Sequence, residues 1–187
     1  GLYFMFRADP QIGTGHLFRC CKIADFIRRK YGIRFAFNLT GGVRPETRRL
    51  LEGRRVFSMG THVEKLPCFS DRPALIVLDD YSIGFEEELK IRESSYRLIV
   101  IDDLMRKHSC DVLIDGNILR TPEDYAASAE TVGKMCCGPE YSLVERKFIR
   151  ARRPRTPPFR RCLVSFGWSD PQHCLRSFVR TVASDAR

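Results

Sequence analysis

Short apolar runs alternate along this chain with stretches whose apolar residues recur every three or four positions. Leu2 to Phe6 is a continuous apolar run of strand length, followed by a polar loop containing two glycines. From Leu17 to Lys30 the pattern changes: Leu17, Cys20, Cys21, Ala24, Ile27 and Tyr31 fall on one side of a helix. Gly32 stops that helix, since glycine tolerates the left-handed conformation of a C-terminal cap. Arg34 to Leu39 reads as a second strand, and Pro45 opens a short helix through Leu51. Ala74 to Leu78 and Leu98 to Ile101 are apolar runs, each ending in paired aspartates, and Val112 to Ile114 is a further strand. The pattern resumes at Arg161 to Phe166, with a helix from Gln172 onward.

Strands that are apolar throughout, separated by helices, imply a parallel sheet covered on both faces. The expected class is therefore α/β, with a Rossmann-like sheet. In such a sheet the loops after the carboxyl ends of the strands line the ligand crevice. Asp9 to His16, Asp79 to Tyr81 and Asp102 to Leu104 then share one rim.

The segment richest in chemistry is Arg7-Ala8-Asp9, Ile12-Gly13-Thr14-Gly15-His16 and Arg19, between the first strand and the first helix. Two glycines let the backbone turn tightly and approach a ligand. The helix that follows directs free N–H groups at that ligand, which suits phosphate or developing negative charge. A dinucleotide fingerprint requires a third glycine where Phe18 stands, and the lysine of a phosphate-binding loop is missing. Chemistry therefore falls to His16. The positive end of the helix disfavours a charged ring there, and a neutral imidazole can take a proton from water. The competing role is a histidine that caps or packs beside the helix. Asp80 with Tyr81, and Asp102 with Asp103, either hold a ligand's polar groups or orient His16, or else cap the next turn. The aspartates lack a recognisable third ligand, so no metal is expected. His108 and Cys110 read as a turn and a buried thiol, and His62 and His173 lack a nameable partner.

Composition narrows the setting. The chain has 187 residues, is 43% hydrophobic and carries eight cysteines and a net charge of +9. Cys20, Cys21, Cys110, Cys136, Cys137 and Cys162 sit at core-like positions without a C-x-x-C pair, which implies free thiols and a cytoplasmic location. No run is apolar for long enough to span a bilayer. Much of the positive charge lies in Arg150, Arg152, Arg153, Arg155, Arg160 and Arg161, interleaved with Pro154, Pro157 and Pro158. Such a stretch reads as a linker rather than a nucleic-acid surface, because no nucleic-acid motif accompanies it. The expected organisation is a first domain over 1–150, a linker over 151–160 and the start of a second domain over 161–187.

The loop Ile12-Gly13-Thr14-Gly15-His16, followed by Arg19-Cys20, resembles the signature of the UDP-sugar hydrolases of pseudaminic acid biosynthesis. Later segments agree in order and spacing: Ile101-Asp102-Asp103-Leu104 through Asn117, Thr121-Pro122-Glu123-Asp124-Tyr125, Gly138-Pro139-Glu140-Tyr141, and Val164-Ser165-Phe166-Gly167 with Ser169-Asp170-Pro171. The resemblance implies the amino-terminal half of a GT-B architecture, with two Rossmann-like domains around a cleft. It implies a monomer that hydrolyses a UDP-linked diacetamido-trideoxy sugar at the anomeric carbon, without cofactor or metal. His16 matches the catalytic histidine; Asp9, Gly13, Thr14, Gly15, Tyr81 and Asn117 are the implied substrate contacts.

Three positions depart from that family. Trp168 replaces a glycine, Glu145 stands where arginine is usual, and Gly116 where glutamine is usual. The second domain is also short, so the chain is expected to be a fragment with little catalysis by itself. Two other functions compete. A GT-B glycosyltransferase would require an acceptor, whereas a hydrolase releases UDP with water alone. A non-catalytic binding module would bind nucleotide-sugar without turnover.

Overall fold

The computed structural model describes residues 1–8, 14–41, 45–58, 75–93, 97–144, 148, 150, 163–165 and 173–185. Asp9, Gly13, His62, Glu145, Trp168 and the expected linker 151–160 lie outside these residues. Among the described residues there are seven strands: β1 (Leu2–Arg7), β2 (Phe35–Thr40), β3 (Val56–Ser58), β4 (Leu75–Asp79), β5 (Arg97–Ile101), β6 (Cys110–Asp115) and β7 (Val132–Cys137). The helices are α1 (Gly15–Tyr31), α2 (Pro45–Arg48), α3 (Phe85–Glu93) and α4 (Cys174–Asp185), with 3-10 turns at Arg49–Leu51, Pro122–Ser128 and Pro139–Tyr141.

All seven strands run parallel, in the order β3-β2-β1-β4-β5-β6-β7. The chain is an α/β protein with a Rossmann-like sheet. Strand alternation divides the core between the two faces. Leu2, Phe4, Phe6, Phe37 and Val77 pack against Leu17, Cys20, Cys21 and Ala24 of α1. Tyr3, Met5, Ile76, Leu78, Leu98 and Leu113 pack on the other face with Ile91 of α3 and Tyr125.

The expected elements lie close to those observed, with three corrections. Tyr31 was placed on the buried face of α1 but is 59% exposed. It ends the helix immediately before Gly32, whose φ of 66° supports the terminal bond to the Arg28 carbonyl, and the Lys30 ammonium lies over its ring instead. The helix from Pro45 is one α turn that tightens into a 3-10 turn at Arg49. Within the expected strand Arg161 to Phe166, the described residues 163–165 carry no regular structure. Leu163 is 93% exposed.

Chain order reverses at β1 and β4. β1 connects outward to β2 and β3, and the chain then crosses back to β4 on the other side of β1. At such a switch point the loops leaving the two strands separate and open a crevice at their carboxyl ends. The first residues of α1 and the last residue of β4 meet there.

Candidate active site

α1 begins at Gly15, so His16 and Arg19 both lie in its first turns, on the face directed at the sheet. Asp79 ends β4 and shares a sheet face with Val77, the face that packs on α1. The three side chains converge. His16 Nδ1 is 2.7 Å from Asp79 Oδ1. Arg19 donates to the same carboxylate through Nε to Oδ2 at 2.7 Å and through Nη2 to Oδ1 at 2.5 Å. Asp79 is fully buried, and burial alone would raise its pKa; the bonds from His16 and Arg19 outweigh it and hold the carboxyl below the usual range.

An ionised carboxylate only accepts hydrogen bonds, so the short contact to Asp79 fixes the proton on His16 Nδ1. Arg19 Nη2 also lies 3.3 Å from that nitrogen, but a nitrogen donating to Asp79 has no lone pair to offer it. In the neutral ring the lone pair then resides on Nε2. The same carboxylate accepts from the buried Cys20 thiol, whose pKa is pushed well up by desolvation and the neighbouring charge. That thiol is not a nucleophile at neutral pH.

Tyr81 also lies against His16. Its ring meets the imidazole edge-on with centroids 4.7 Å apart, and its hydroxyl donates to Asp103 Oδ1 at 2.5 Å. Arg106 lies over the tyrosine ring at 5.5 Å and donates through Nη1 to the carbonyls of Tyr81 and Ile83. Burial, with the Asp103 hydrogen bond, pushes the phenol pKa well up. The hydroxyl therefore stays protonated and works as a donor.

His16 is only 5% exposed, so the ring does not stand open at the helix start. Its hydrogen-bonding and ring partners are nonetheless polar: Asp79, Arg19 and Tyr81. The helix terminus alone does not set its electrostatics, because a carboxylate at contact distance opposes that positive end. The sequence offers Asp80, Asp102 or Asp103 as the aspartate that orients His16; the structure gives that place to Asp79 instead, because residue 79 is on the α1 face of β4. Asp80 points to the other face, where it accepts from Thr40 Oγ1 at 2.8 Å and from Ser82 Oγ at 2.6 Å.

Of the expected substrate contacts, Thr14 is nearly buried ahead of α1, Gly15 opens the helix, and Tyr81 lies against His16. Asn117 stands apart, in a cleft of about 170 Å³ between the carboxyl ends of β5 and β6. Arg19 lines this cleft as well, and so joins it to the His16–Asp79 pair. Asp102 keeps its capping role, accepting from the N–H groups of Leu104 and Arg106. Periodicity did not single out Asp79, Arg19 or Asp103 as a connected group. The alternation rule applied to β4 and β5 would have placed Asp79 and Asp103 on the α1 side.

Among the described residues no group of three or more His, Cys, Asp or Glu side chains is arranged to hold a metal ion. No described helix is long and apolar enough to cross a membrane. The described cysteines, including buried Cys20, Cys21, Cys110, Cys136 and Cys137, are free.

No family model matches the chain. Among characterised proteins it is 28% identical over 77 residues to the UDP-2,4-diacetamido-2,4,6-trideoxy-beta-L-altropyranose hydrolase of Campylobacter jejuni. The match covers 41% of this chain and 28% of that enzyme's length. The relationship is distant.

Proposed function

We propose that this chain contributes the sugar-side half of a nucleotide-sugar hydrolase, with His16 as the general base. The observation that carries this reading is the 2.7 Å contact between His16 Nδ1 and a buried carboxylate at the switch point of the sheet. A carboxylate holding one ring nitrogen protonated leaves the other free to accept a proton, and stabilises the imidazolium that forms. UDP is a good leaving group, so the protein's main tasks are to position water, take its proton and tolerate charge at the anomeric carbon. Nε2 of His16 takes the water's proton as its oxygen attacks C1. The bond from C1 to the diphosphate oxygen breaks, and UDP leaves with that electron pair.

The distant hydrolase supports the same chemistry by its name: its substrate is a UDP-linked diacetamido sugar. On this reading the chain acts in the family of that enzyme, in pseudaminic acid biosynthesis, with 151–160 as a linker and 161–187 as the start of a second, UDP-gripping domain. Thr14, Gly15 and Tyr81 contact the substrate, as the resemblance implies for Asp9 and Gly13 as well, and Asn117 contacts its sugar.

The test is UDP release from the UDP-linked diacetamido sugar by the full-length protein, with no acceptor present. Release with water alone is expected, and His16→Asn is expected to slow it by at least ~100-fold. A requirement for a second sugar or lipid acceptor would make the protein a transferase instead. An unchanged rate in His16→Asn would remove the histidine from the mechanism.

A further inference from the structure

Asp79 fixes which nitrogen of His16 carries the proton, but it touches the ring at one atom. The terminal torsion of a histidine is broad, so one contact at Nδ1 leaves the tilt of the imidazole loosely defined. Tyr81 supplies a second constraint. Its ring meets the imidazole edge-on, with centroids 4.7 Å apart and planes 79° to one another.

Tyr81 is a loop residue, so something must hold it there. It follows β4 in a turn over residues 80–83, which closes with the Ile83 N–H on the Asp80 carbonyl at 3.3 Å. Asp80 braces that turn from within, accepting from the Ser82 N–H at 2.9 Å. From the neighbouring loop, after β5, Arg106 reaches across to it. Arg106 Nη1 donates to the carbonyls of Tyr81 and Ile83 at 3.1 and 3.0 Å, and the guanidinium carbon lies 5.5 Å from the centre of the Tyr81 ring. One side chain thus grips both the main chain and the ring of Tyr81.

Arg106 is itself anchored. Its Nε donates to Asp102 Oδ1 at 2.9 Å, and its backbone N–H to Asp102 Oδ2 at 3.2 Å. Asp102 is fully buried and also accepts from the Leu104 N–H and the Tyr125 hydroxyl. The planar fork of arginine lets it span a carboxylate, two carbonyls and an aromatic face at once, which the point charge of lysine does not. A strap for the turn needs the two carbonyls alone. The guanidinium over the ring adds a hold on the group that His16 touches.

We propose that Arg106 is a positioning residue for His16: it holds Tyr81 in place, and Tyr81 sets the tilt of the imidazole. The consequence for turnover rests on the hydrolase reading above; the mechanical link from Arg106 to His16 does not.

The ring-proton resonances of His16 in the full-length protein test this, because an aromatic ring at 4.7 Å displaces them by its ring current. The chain has four histidines, and loss of one set of signals in His16→Asn identifies those of His16. Tyr81→Leu removes the aromatic ring and defines the position free of that displacement. Arg106→Gln is expected to carry the His16 signals towards this position and to lower UDP release by about tenfold. Nδ1 should stay in the N–H range, because Asp79 is untouched. If Arg106→Gln fails to fold, Arg106→Lys asks the same question. It keeps the charge and loses the fork, and is expected to move the signals in the same direction and cut release by roughly threefold. A residue that merely ties two loops would lower stability and leave the His16 signals where they are. Signals that stay in place in the folded variant therefore overturn the proposal, as do signals that move while UDP release keeps its unmodified rate. Absence of UDP release from the unmodified protein contradicts the hydrolase, and displaced His16 signals then still establish the link through Tyr81. UDP release with unmoved His16 signals in the folded variant does the reverse.

Discussion

Among the described residues, two histidine–carboxylate pairs of nearly equal length lie in different settings. His16 meets Asp79 at 2.7 Å where the start of α1 reaches the end of β4. His108 meets Glu88 at 2.8 Å in the core beneath α3, where both side chains are fully buried. Around the second pair every neighbour is structural. Ser109 N–H donates to Glu88, the Ser128 hydroxyl accepts from His108 N–H, and Asp102 Oδ2 lies 3.4 Å from the ring's Nε2, outside good hydrogen-bond geometry. Arg19, which bonds Asp79, lines a cleft. Pairing distance alone therefore does not mark a catalytic dyad.

The largest expected effect falls on the buried pair. His108→Ala strands Glu88 in the core and is expected to cost about 3–5 kcal/mol in denaturant unfolding, while UDP release per folded molecule stays unchanged. A change in turnover at constant folded fraction would blur the distinction between the pairs. The crevice pair is expected to behave in the opposite way. Asp79→Asn removes the acceptor that fixes the tautomer, and UDP release per folded molecule is expected to fall by about 100-fold.

The pairs also separate by pH. Burial opposes the charge on His108, but Asp102 and Glu88 outweigh it and its pKa is pushed from 6.5 up to about 8. A raised pKa stabilises the fold fully below 6.5, and that stabilisation is lost as pH climbs through 8. Unfolding free energy is expected to drop by on the order of 2 kcal/mol across this window, and the drop should vanish in a His108→Gln protein. The smallest effect is Tyr81→Phe, which keeps the ring against His16 and removes only the bond to Asp103. A loss of about 1 kcal/mol, or roughly fivefold in UDP release, is expected. A loss as large as that of Asp79→Asn would place the phenol in the chemistry itself.

Five strands were legible because both their faces are buried and their sequences are apolar almost throughout. β3 and β7 were not. Both lie at the sheet edges; β3 is three residues long, and β7 carries exposed Gly133 and Lys134 in the middle of Val-Gly-Lys-Met-Cys-Cys. α3 escaped for a different reason: its buried face includes Glu88 beside Ile91, and hydrophobic periodicity cannot register a buried acid whose partner lies 20 residues away. The same limit applied at the crevice. His16 stood out through its glycine-framed loop, whereas Asp79 and Asp80 are indistinguishable as residues and differ only in the sheet face they occupy. The contact between His16 and Asp79 spans 63 positions, so only the assembled sheet reveals it.

The central claim is that Asp79 holds the proton of neutral His16 on Nδ1 and leaves Nε2 as the base. Long-range ¹H–¹⁵N spectra of the imidazole nitrogens measure this directly. The expected spectrum has His16 Nδ1 in the N–H range and Nε2 in the lone-pair range, with that preference lost in Asp79→Asn. A neutral ring protonated on Nε2 in the unmodified protein would contradict it.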